Sequence, residues 1–219
     1  KWPFDKFLYA KRELGSRMKA TGEVMAIGTS FEQAIMKAVR GAEIGLDTLN
    51  HAKFEPMTKD QLRSEIGKMT DERLFAVYAA LKKGISVDEI YSVTKIDEWF
   101  LRHIHELASF EDEIASVKTL ENLKKDLPLF RQIKEFGYSD RQIAYLLHSD
   151  EIEVYKARKK LGLMPVYSLV DTCAGEFEAY TPYYYSTYGA YDEPVRESGK
   201  KKIMILGGGP NRIGQGIEF

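Results

Sequence analysis

The sequence lacks several features that would narrow its function at once. It has a single cysteine, Cys173, so an intramolecular disulfide is excluded and a reducing cytoplasm is the expected compartment. No apolar run approaches the roughly 20 residues that span a bilayer, and the amino terminus shows no apolar segment typical of a signal peptide. The net charge is −1, which gives no general attraction to nucleic acid or to an anionic membrane.

The first 57 residues show too few structural elements for a complete domain, and the chain lacks an initiating methionine. Weak alternation over residues 21–28 predicts a strand bounded by glycines. Ser30 and Gln33 then predict a capping box that begins a helix, with Gly41 or Gly45 as its end. Because one strand and one helix cannot bury a core, we expect a piece of a longer polypeptide, with a severed domain at each end.

Residues 58–161 have a helical pattern that repeats after 53 residues. Glycine is a favoured left-handed helix stop, serine a favoured N-cap, and aspartate places negative charge at the positive end of a helix. Each copy is therefore predicted to be helix, turn, short helix, turn, helix. The identical residues that coincide in the two copies are Gly84 with Gly137, Ser86 with Ser139, Ile90 with Ile143, and Asp97-Glu98 with Asp150-Glu151.

The first copy ends in a long helix with more apolar side chains than one narrow stripe holds. Trp99, Phe100 and Leu101 place large apolar groups on more than one face. Two interpretations stay open: a wide stripe that faces the core, or a stripe that partly packs on another domain or another copy of the chain. The apolar positions at three- and four-residue steps are Ile96, Phe100, His103, Leu107, Phe110, Ile114 and Val117.

The second copy resembles a helix-turn-helix, so a nucleic-acid-binding helical protein is the alternative function. Basic residues are favoured at helix C-termini in any case, and acidic and basic residues balance over residues 58–161, so nucleic acid is not the preferred partner. His103 and His105 are two apart on a helix and cannot face one metal ion together. The basic cluster consists of Lys156, Arg158, Lys159 and Lys160.

Residues 162–193 are predicted to be a packed connector, because a flexible linker would be polar and rich in glycine and serine. Residues 166–173 are extended in character. We expect the aromatic residues after them to form a strap in grooves between domains, and a stacking platform for single-stranded nucleic acid is the alternative, although no basic track adjoins it. These aromatics are Phe177, Tyr180, Tyr183, Tyr184, Tyr185, Tyr188 and Tyr191.

The chain closes with an apolar run at residues 203–206, which predicts a buried strand, followed by a glycine-rich turn and the start of a helix. This segment and three others resemble the large subunit of carbamoyl phosphate synthetase. The other stretches are residues 18–28, 96–101 and 170–177, the last continued by residues 183–188. The most specific motif is Gly207-Gly208-Gly209-Pro210-Asn211-Arg212-Ile213-Gly214-Gln215-Gly216-Ile217-Glu218-Phe219.

The resemblance implies a mainly α chain, in which an all-α oligomerisation domain is flanked by short α/β pieces of two truncated ATP-grasp halves. Residues 46–193 would be the oligomerisation domain, with the aromatic connector at 162–193. Residues 1–45 would be the end of the first, carboxyphosphate-forming half. Residues 194–219 would be the first strand and glycine loop of the second, carbamoyl-phosphate-forming half.

The resemblance also implies the parent reaction. The parent would be a cytoplasmic ATP-dependent ligase that makes carbamoyl phosphate from bicarbonate, glutamine-derived ammonia and two ATP, for arginine and pyrimidine biosynthesis. Its implied cofactors are ATP, Mg²⁺ or Mn²⁺, and K⁺, and its implied partners are a small glutaminase subunit and other copies of the large chain. Those cofactors bind outside this segment, so we expect no catalytic, nucleotide or metal-binding residue here, and no activity from this chain alone.

Two residues of the glycine motif carry a specific expectation from the family. Arg212 and Glu218 match positions associated with the interior passage that conducts carbamate between the active sites, and a guanidinium suits a carboxylate-like anion. An Arg–Glu pair that ties the glycine loop to its own helix is the structural alternative. A phosphate site in this loop is not favoured, because the equivalent segment of the family precedes the nucleotide-binding domain.

Overall fold

The computed structural model describes residues 9, 11–16, 24–180, 183–194, 199 and 201–205. Across that part of the chain, nine helices precede two antiparallel strands, so the mainly α prediction is confirmed. The elements are α1 Phe31–Gly41, α2 Lys59–Ile66, α3 Arg73–Lys82, α4 Val87–Thr94, α5 Glu98–Ser116, α6 Leu120–Leu123, α7 Leu127–Glu135, α8 Asp140–Leu146, α9 Glu151–Lys160, β1 Val166–Leu169 and β2 Tyr184–Thr187.

The predicted repeat is present as two successions of three helices, α3–α4–α5 and α7–α8–α9. The stop between the first two helices of each copy is a glycine in the left-handed region, Gly84 at φ 75° and Gly137 at φ 91°. The next helix then begins at a serine N-cap. Ser86 accepts a hydrogen bond from the amide of Glu89, and Ser139 accepts one from the amide of Gln142. These local signals acted as the sequence predicted.

The second turn of each copy is also duplicated, down to its backbone conformation. Lys95 and His148 are equivalent positions, and both adopt positive φ, 56° and 51°. Asp97 and Asp150 follow and cap α5 and α9, each accepting a hydrogen bond of 2.8 Å from the amide two residues later. The predicted aspartate starts of these helices are therefore confirmed.

The two copies share one hydrophobic core. Helix α3 is central: it contacts α2 and α5, and most of its side chains are buried. In the second copy α8 packs on α9, and α8 also contacts α5, which joins the copies. Repeat-related positions that are both fully buried are Val77 with Phe130, Ala80 with Ile133, Ile90 with Ile143, and Leu101 with Val154.

Helix α5 buries Leu107, Phe110 and Ile114 as the apolar spacing predicted, but its first turns differ. Leu101 and Ile104 face the core, whereas Phe100 is 44% exposed and His103 is half-buried. The reason is tertiary: α5 contacts α3 and α4 on one side and α1 on another, and Phe100 and His103 lie against Phe31 of α1. The wide stripe thus serves more than one neighbour within the chain.

The structure corrects three predictions near the ends of the chain. Residues 24–28, the described part of the predicted strand, are irregular, because Val24–Gly28 pair with no strand there and Lys37 instead donates to the carbonyl of Ile27 at 2.7 Å. The capping box of α1 is half formed, since Ser30 accepts from the amide of Gln33 but the Gln33 side chain accepts from Thr29 instead. Residues 203–205 are irregular and exposed, not a buried strand.

The connector contains a hairpin whose second strand the sequence reasoning missed. Strand β1 confirms the extended prediction for residues 166–173, and it pairs with β2 in the register Val166 to Thr187 and Leu169 to Tyr184. Helix α2 lies within the residues predicted to be helical, but its own start was not predicted, although Thr58 and Gln61 form a full capping box that the sequence carries. Among the described residues, no helix is long and apolar enough to cross a membrane.

Candidate interaction surfaces

An aromatic cluster joins α1 to the start of α5. The ring of Phe31 lies 5.4 Å from Trp99, 5.6 Å from Phe100 and 5.6 Å from His103. Its burial is incomplete, because Trp99 is 52% exposed even after these contacts. Helix α1 is thus held to the helical unit by ring packing, while part of the same cluster stays accessible to solvent.

Other large apolar side chains on the helices are exposed as well, and one pair follows the repeat. Trp99 and Ile152 are equivalent, and both are more than half exposed at the second position of a capped helix. Exposed apolar side chains that lie near one another are typical of interaction sites. The exposed set on or beside the helices is Met69, Tyr91, Val93, Trp99, Phe100, Tyr145, Ile152 and Tyr155.

The hairpin of the connector is anchored to α1 by buried polar contacts. Gln33 donates to the hydroxyl of Thr187 at 3.1 Å and to the carbonyl of Glu135 at 3.3 Å. Lys37 donates to the carbonyls of Ile27 and Ser186. Desolvation, with a smaller contribution from the charge of Arg40, lowers the pKa of Lys37 to about 8.

The outer side of the connector carries most of the aromatic residues that the sequence singled out. Two of them are less exposed. Tyr185 is half-buried, with its ring 5.4 Å from the ammonium group of Lys37. Tyr188 packs against the core, its ring lies 5.3 Å from the ammonium group of Lys134, and burial raises its pKa to about 12. The connector therefore packs by one edge and presents aromatic side chains on the other. The exposed aromatics are Phe177, Tyr180, Tyr183, Tyr184 and Tyr191.

An open cleft of about 360 Å³ lies beside this hairpin. Its two carboxylates already have backbone partners, because Asp171 accepts from the amide of Cys173 at 2.9 Å and Glu193 accepts from the amide of Leu169. Both carboxylates thus stabilise the backbone of the connector by accepting hydrogen bonds from its amides. The cleft is lined by Leu169, Asp171, Phe177, Ala179, Tyr184 and Glu193.

Part of the basic cluster in the second copy lies in a buried group of charges and is not on the surface, where a DNA-binding helix-turn-helix would need it. Asp140 accepts from Lys134 at 2.8 Å and from Arg158 at 2.7 Å, and all three side chains are buried or nearly so. Arg158 belonged to the predicted basic cluster, but its guanidinium group pairs with Asp140 inside the protein. Desolvation lowers the pKa of Lys134 to about 8, against the attraction of Asp140.

The sequence-predicted site residues Arg212 and Glu218, together with the glycine motif, lie outside the described residues. His105 is exposed on α5. His103, in contrast, lies between Glu32 and Glu106, and the ligand atoms of these three residues are all within 4.8 Å of one another. Sequence spacing could not show this group, because Glu32 and His103 are 71 residues apart in the chain.

A duplicated helical unit with exposed apolar positions and a one-sided aromatic connector defines an interaction domain, of the kind that holds larger parts together. Residues 23–162 match the family model for the carbamoyl-phosphate synthetase large chain, oligomerisation domain. The chain belongs to this family, which confirms the resemblance seen in the sequence.

Full-length relatives extend the match beyond the family model. The chain is 49% identical to the carbamoyl phosphate synthase large chain of Archaeoglobus fulgidus, 48% to that of Methanothrix thermoacetophila and 46% to that of Clostridium beijerinckii. Each alignment covers 100% of this chain and 20% of the relative. The chain therefore spans about one fifth of the length of these relatives.

Proposed function

We propose that this chain is the helical region of a longer carbamoyl phosphate synthase large chain, where it spaces two catalytic halves and mediates association between large chains. The match of residues 23–162 to the oligomerisation-domain family is the observation that carries the proposal. The exposed apolar side chains of α4, α5 and α9 give the proposed association a physical basis. Burying such side chains against a partner lowers the free energy of the system.

The activity of the whole protein is part of the same proposal. The parent is a cytoplasmic ligase that makes carbamoyl phosphate from bicarbonate, glutamine-derived ammonia and two ATP, with Mg²⁺ or Mn²⁺ and K⁺, and with a glutaminase subunit as partner. Its product would serve arginine and pyrimidine biosynthesis. The names of the relatives and the glycine motif support this assignment. The isolated chain is expected to be inactive.

The domain division is also a proposal. Residues 1–45 belong to the end of the first catalytic half, residues 46–193 to the oligomerisation domain, and residues 194–219 to the start of the second half. Helix α1 lies within the first of these segments but packs on α5. It would therefore connect the first catalytic half to the helical domain.

Sedimentation velocity of the purified chain over a range of concentrations tests the self-association. We expect a concentration-dependent oligomer. Ile152→Glu places a carboxylate on an exposed apolar position outside the α1 cluster, so it should weaken association at least about tenfold without unfolding the chain. Trp99→Glu tests the equivalent position of the first copy.

Lys59→Glu is the control, because it places the same carboxylate on an exposed position of α2, a helix that packs on α3 and α4. It should leave association nearly unchanged, and circular dichroism should show the same helix content in all variants. A strict monomer at high concentration contradicts the self-association, whatever the variants do.

For Arg212 and Glu218 we propose a role in passing carbamate between the two active sites of the parent. Arg212→Ala in the full-length enzyme should uncouple the reaction, so that ATP is consumed without a matching yield of carbamoyl phosphate. Equal coupling in variant and wild type would leave the alternative, a structural Arg–Glu pair.

A further inference from the structure

Three potential metal ligands converge where α1 crosses α5. Glu32 lies in the first turn of α1, and His103 and Glu106 lie one turn apart on α5. The imidazole Nδ1 of His103 contacts Glu32 Oε1 and lies 3.8 Å from Glu106 Oε2. With all three ligand atoms within 4.8 Å of one another, one ion can reach every member of the group.

The charges of this group do not balance within the described residues. Glu32 is 5% exposed, and its ion pair in this part of the chain is with His103. Glu106 likewise pairs with His103 and with no lysine or arginine there. A buried carboxylate needs compensation, and among the described residues His103 is the ion-pair partner that Glu32 has. A divalent cation would compensate the buried Glu32 and could also be reached by the exposed Glu106.

The residues around His103 restrict its imidazole ring, and the exposed Glu106 gives an ion access from solvent. The ring of His103 lies 4.2 Å from Trp99 and 5.6 Å from Phe31, which restricts its rotation. The side chain of Glu106 is 55% exposed, so it can rotate towards an ion that arrives from solvent. Packing that locks the rotamer of a ligating side chain helps to hold a metal site in its binding geometry.

We propose that Glu32 Oε1, His103 Nδ1 and Glu106 Oε2 bind a Zn²⁺ ion that clamps α1 to α5. One nitrogen and two carboxylate oxygens form a ligand set that zinc accepts, at about 2.0–2.2 Å, with water in the fourth position. Binding replaces the direct contact between His103 and Glu32 by two bonds to the ion, and any proton on Nδ1 leaves to solvent.

Isothermal titration of the untagged, chelator-treated chain with zinc chloride tests this site. One zinc ion should bind per chain, and zinc should raise the melting temperature. Glu106→Gln is the decisive variant, because the residue is exposed and its loss should not affect folding. It should weaken zinc binding at least about tenfold, as should His103→Ala. His105→Ala, an exposed histidine on the same helix, should bind as the wild type does.

Cobalt offers a second readout, since Co²⁺ bound to four or five ligands absorbs visible light strongly enough to report its coordination. The absorption should appear with the wild type and with His105→Ala and be absent with His103→Ala. Failure to bind zinc, or equal affinity in the wild type and Glu106→Gln, would show that the three residues form only an ion-paired cluster and would overturn the proposal. Neither result bears on the family assignment or on self-association.

Discussion

The amide of Gln33 and the hydroxyl of Thr187 exchange two hydrogen bonds inside the protein. The Gln33 Nε2 donates to the Thr187 Oγ1 at 3.1 Å, and that hydroxyl donates back to Gln33 Oε1 at 3.2 Å. Both residues are at most 3% exposed and lie 154 residues apart. This pair of side chains, together with the bond from Lys37 to the carbonyl of Ser186, fixes the connector hairpin on α1.

Thr187→Val tests this anchor, because it keeps the shape of the side chain and removes the hydroxyl. The buried amide of Gln33 then keeps its contacts with Thr29 and Glu135 but loses those with Thr187, which should destabilise the fold by about 0.5–1.5 kcal/mol. Urea denaturation measures the loss, and hydrogen exchange should rise in β1 and β2. Ser186→Ala, at an exposed neighbour, should change neither quantity; equal effects of the two substitutions would rule out the anchor.

The ion-pair group at Asp140 should be far more sensitive than a surface pair. Asp140→Asn leaves Lys134 and Arg158 buried without a carboxylate, so it should cost about 3–5 kcal/mol of unfolding free energy. Asp47→Asn is the matched control. Its partner Arg141 is 63% exposed, so the loss of this solvent-screened pair should cost much less than the loss of the buried one. Chemical denaturation of both variants decides the point.

The two repeat-related glycines should differ although their backbones agree. Alanine at Gly84 would suffer left-handed strain of about 1–2 kcal/mol, with no contact closer than 3.7 Å. Alanine at Gly137 would add a Cβ 3.1 Å from the Cα of Gln33 and 3.2 Å from the Cβ of Met36. We expect Gly137→Ala to cost about 1–3 kcal/mol more than Gly84→Ala. Equal losses of stability in the two variants would show that α1 shifts at little cost to accommodate the added Cβ at position 137.

Lys37 should make stability depend on pH in the alkaline range. Its pKa is about 8 in the folded protein, below the ordinary value of 10.5. Between these values the unfolded chain binds more protons, so the free energy of unfolding should rise with pH from about 8 to 10.5. The rise should be about 1–2 kcal/mol, after allowance for the partial solvent exposure of Lys37.

Denaturation curves across that pH window measure the effect. Lys37→Met should reduce the rise and leave the part that Lys134 contributes, because the pKa of Lys134 is also lowered to about 8. Lys156→Met, at an exposed lysine on α9, should keep the full rise. A wild-type protein whose stability profile matches that of Lys37→Met would show that the ammonium group is well solvated.

Helix starts and stops were predictable because their causes are local. Ser86, Ser139, Asp97 and Asp150 each bond an amide two or three residues away. The two strand predictions failed for the opposite reason. A strand exists through its neighbour, and an apolar run such as residues 203–205 is exposed in the described structure, where no strand pairs with it.

The candidate interaction surfaces also combine features that local sequence predicts with contacts that depend on distant residues. The sequence placed the apolar side chains of Trp99, Phe100 and Leu101 on more than one face of α5, and in the structure Trp99 is 52% exposed whereas Leu101 is buried. The grouping of Glu32 with His103 was beyond prediction, since α1 and α5 meet through ring packing that no local pattern encodes. Similarly, Arg158 looked like surface charge until α8 brought Asp140 beside it.

The sequence by itself determined the family, the duplicated helical unit and the residues that begin and end its helices, because these depend on motifs and on bonds that close within a few residues. The tertiary structure alone decided which side chains are buried in the first turns of α5, how the connector attaches to α1, and which charges meet at Asp140 and at His103. Those arrangements join residues far apart in the chain, and they exist only when the packed core brings their helices together.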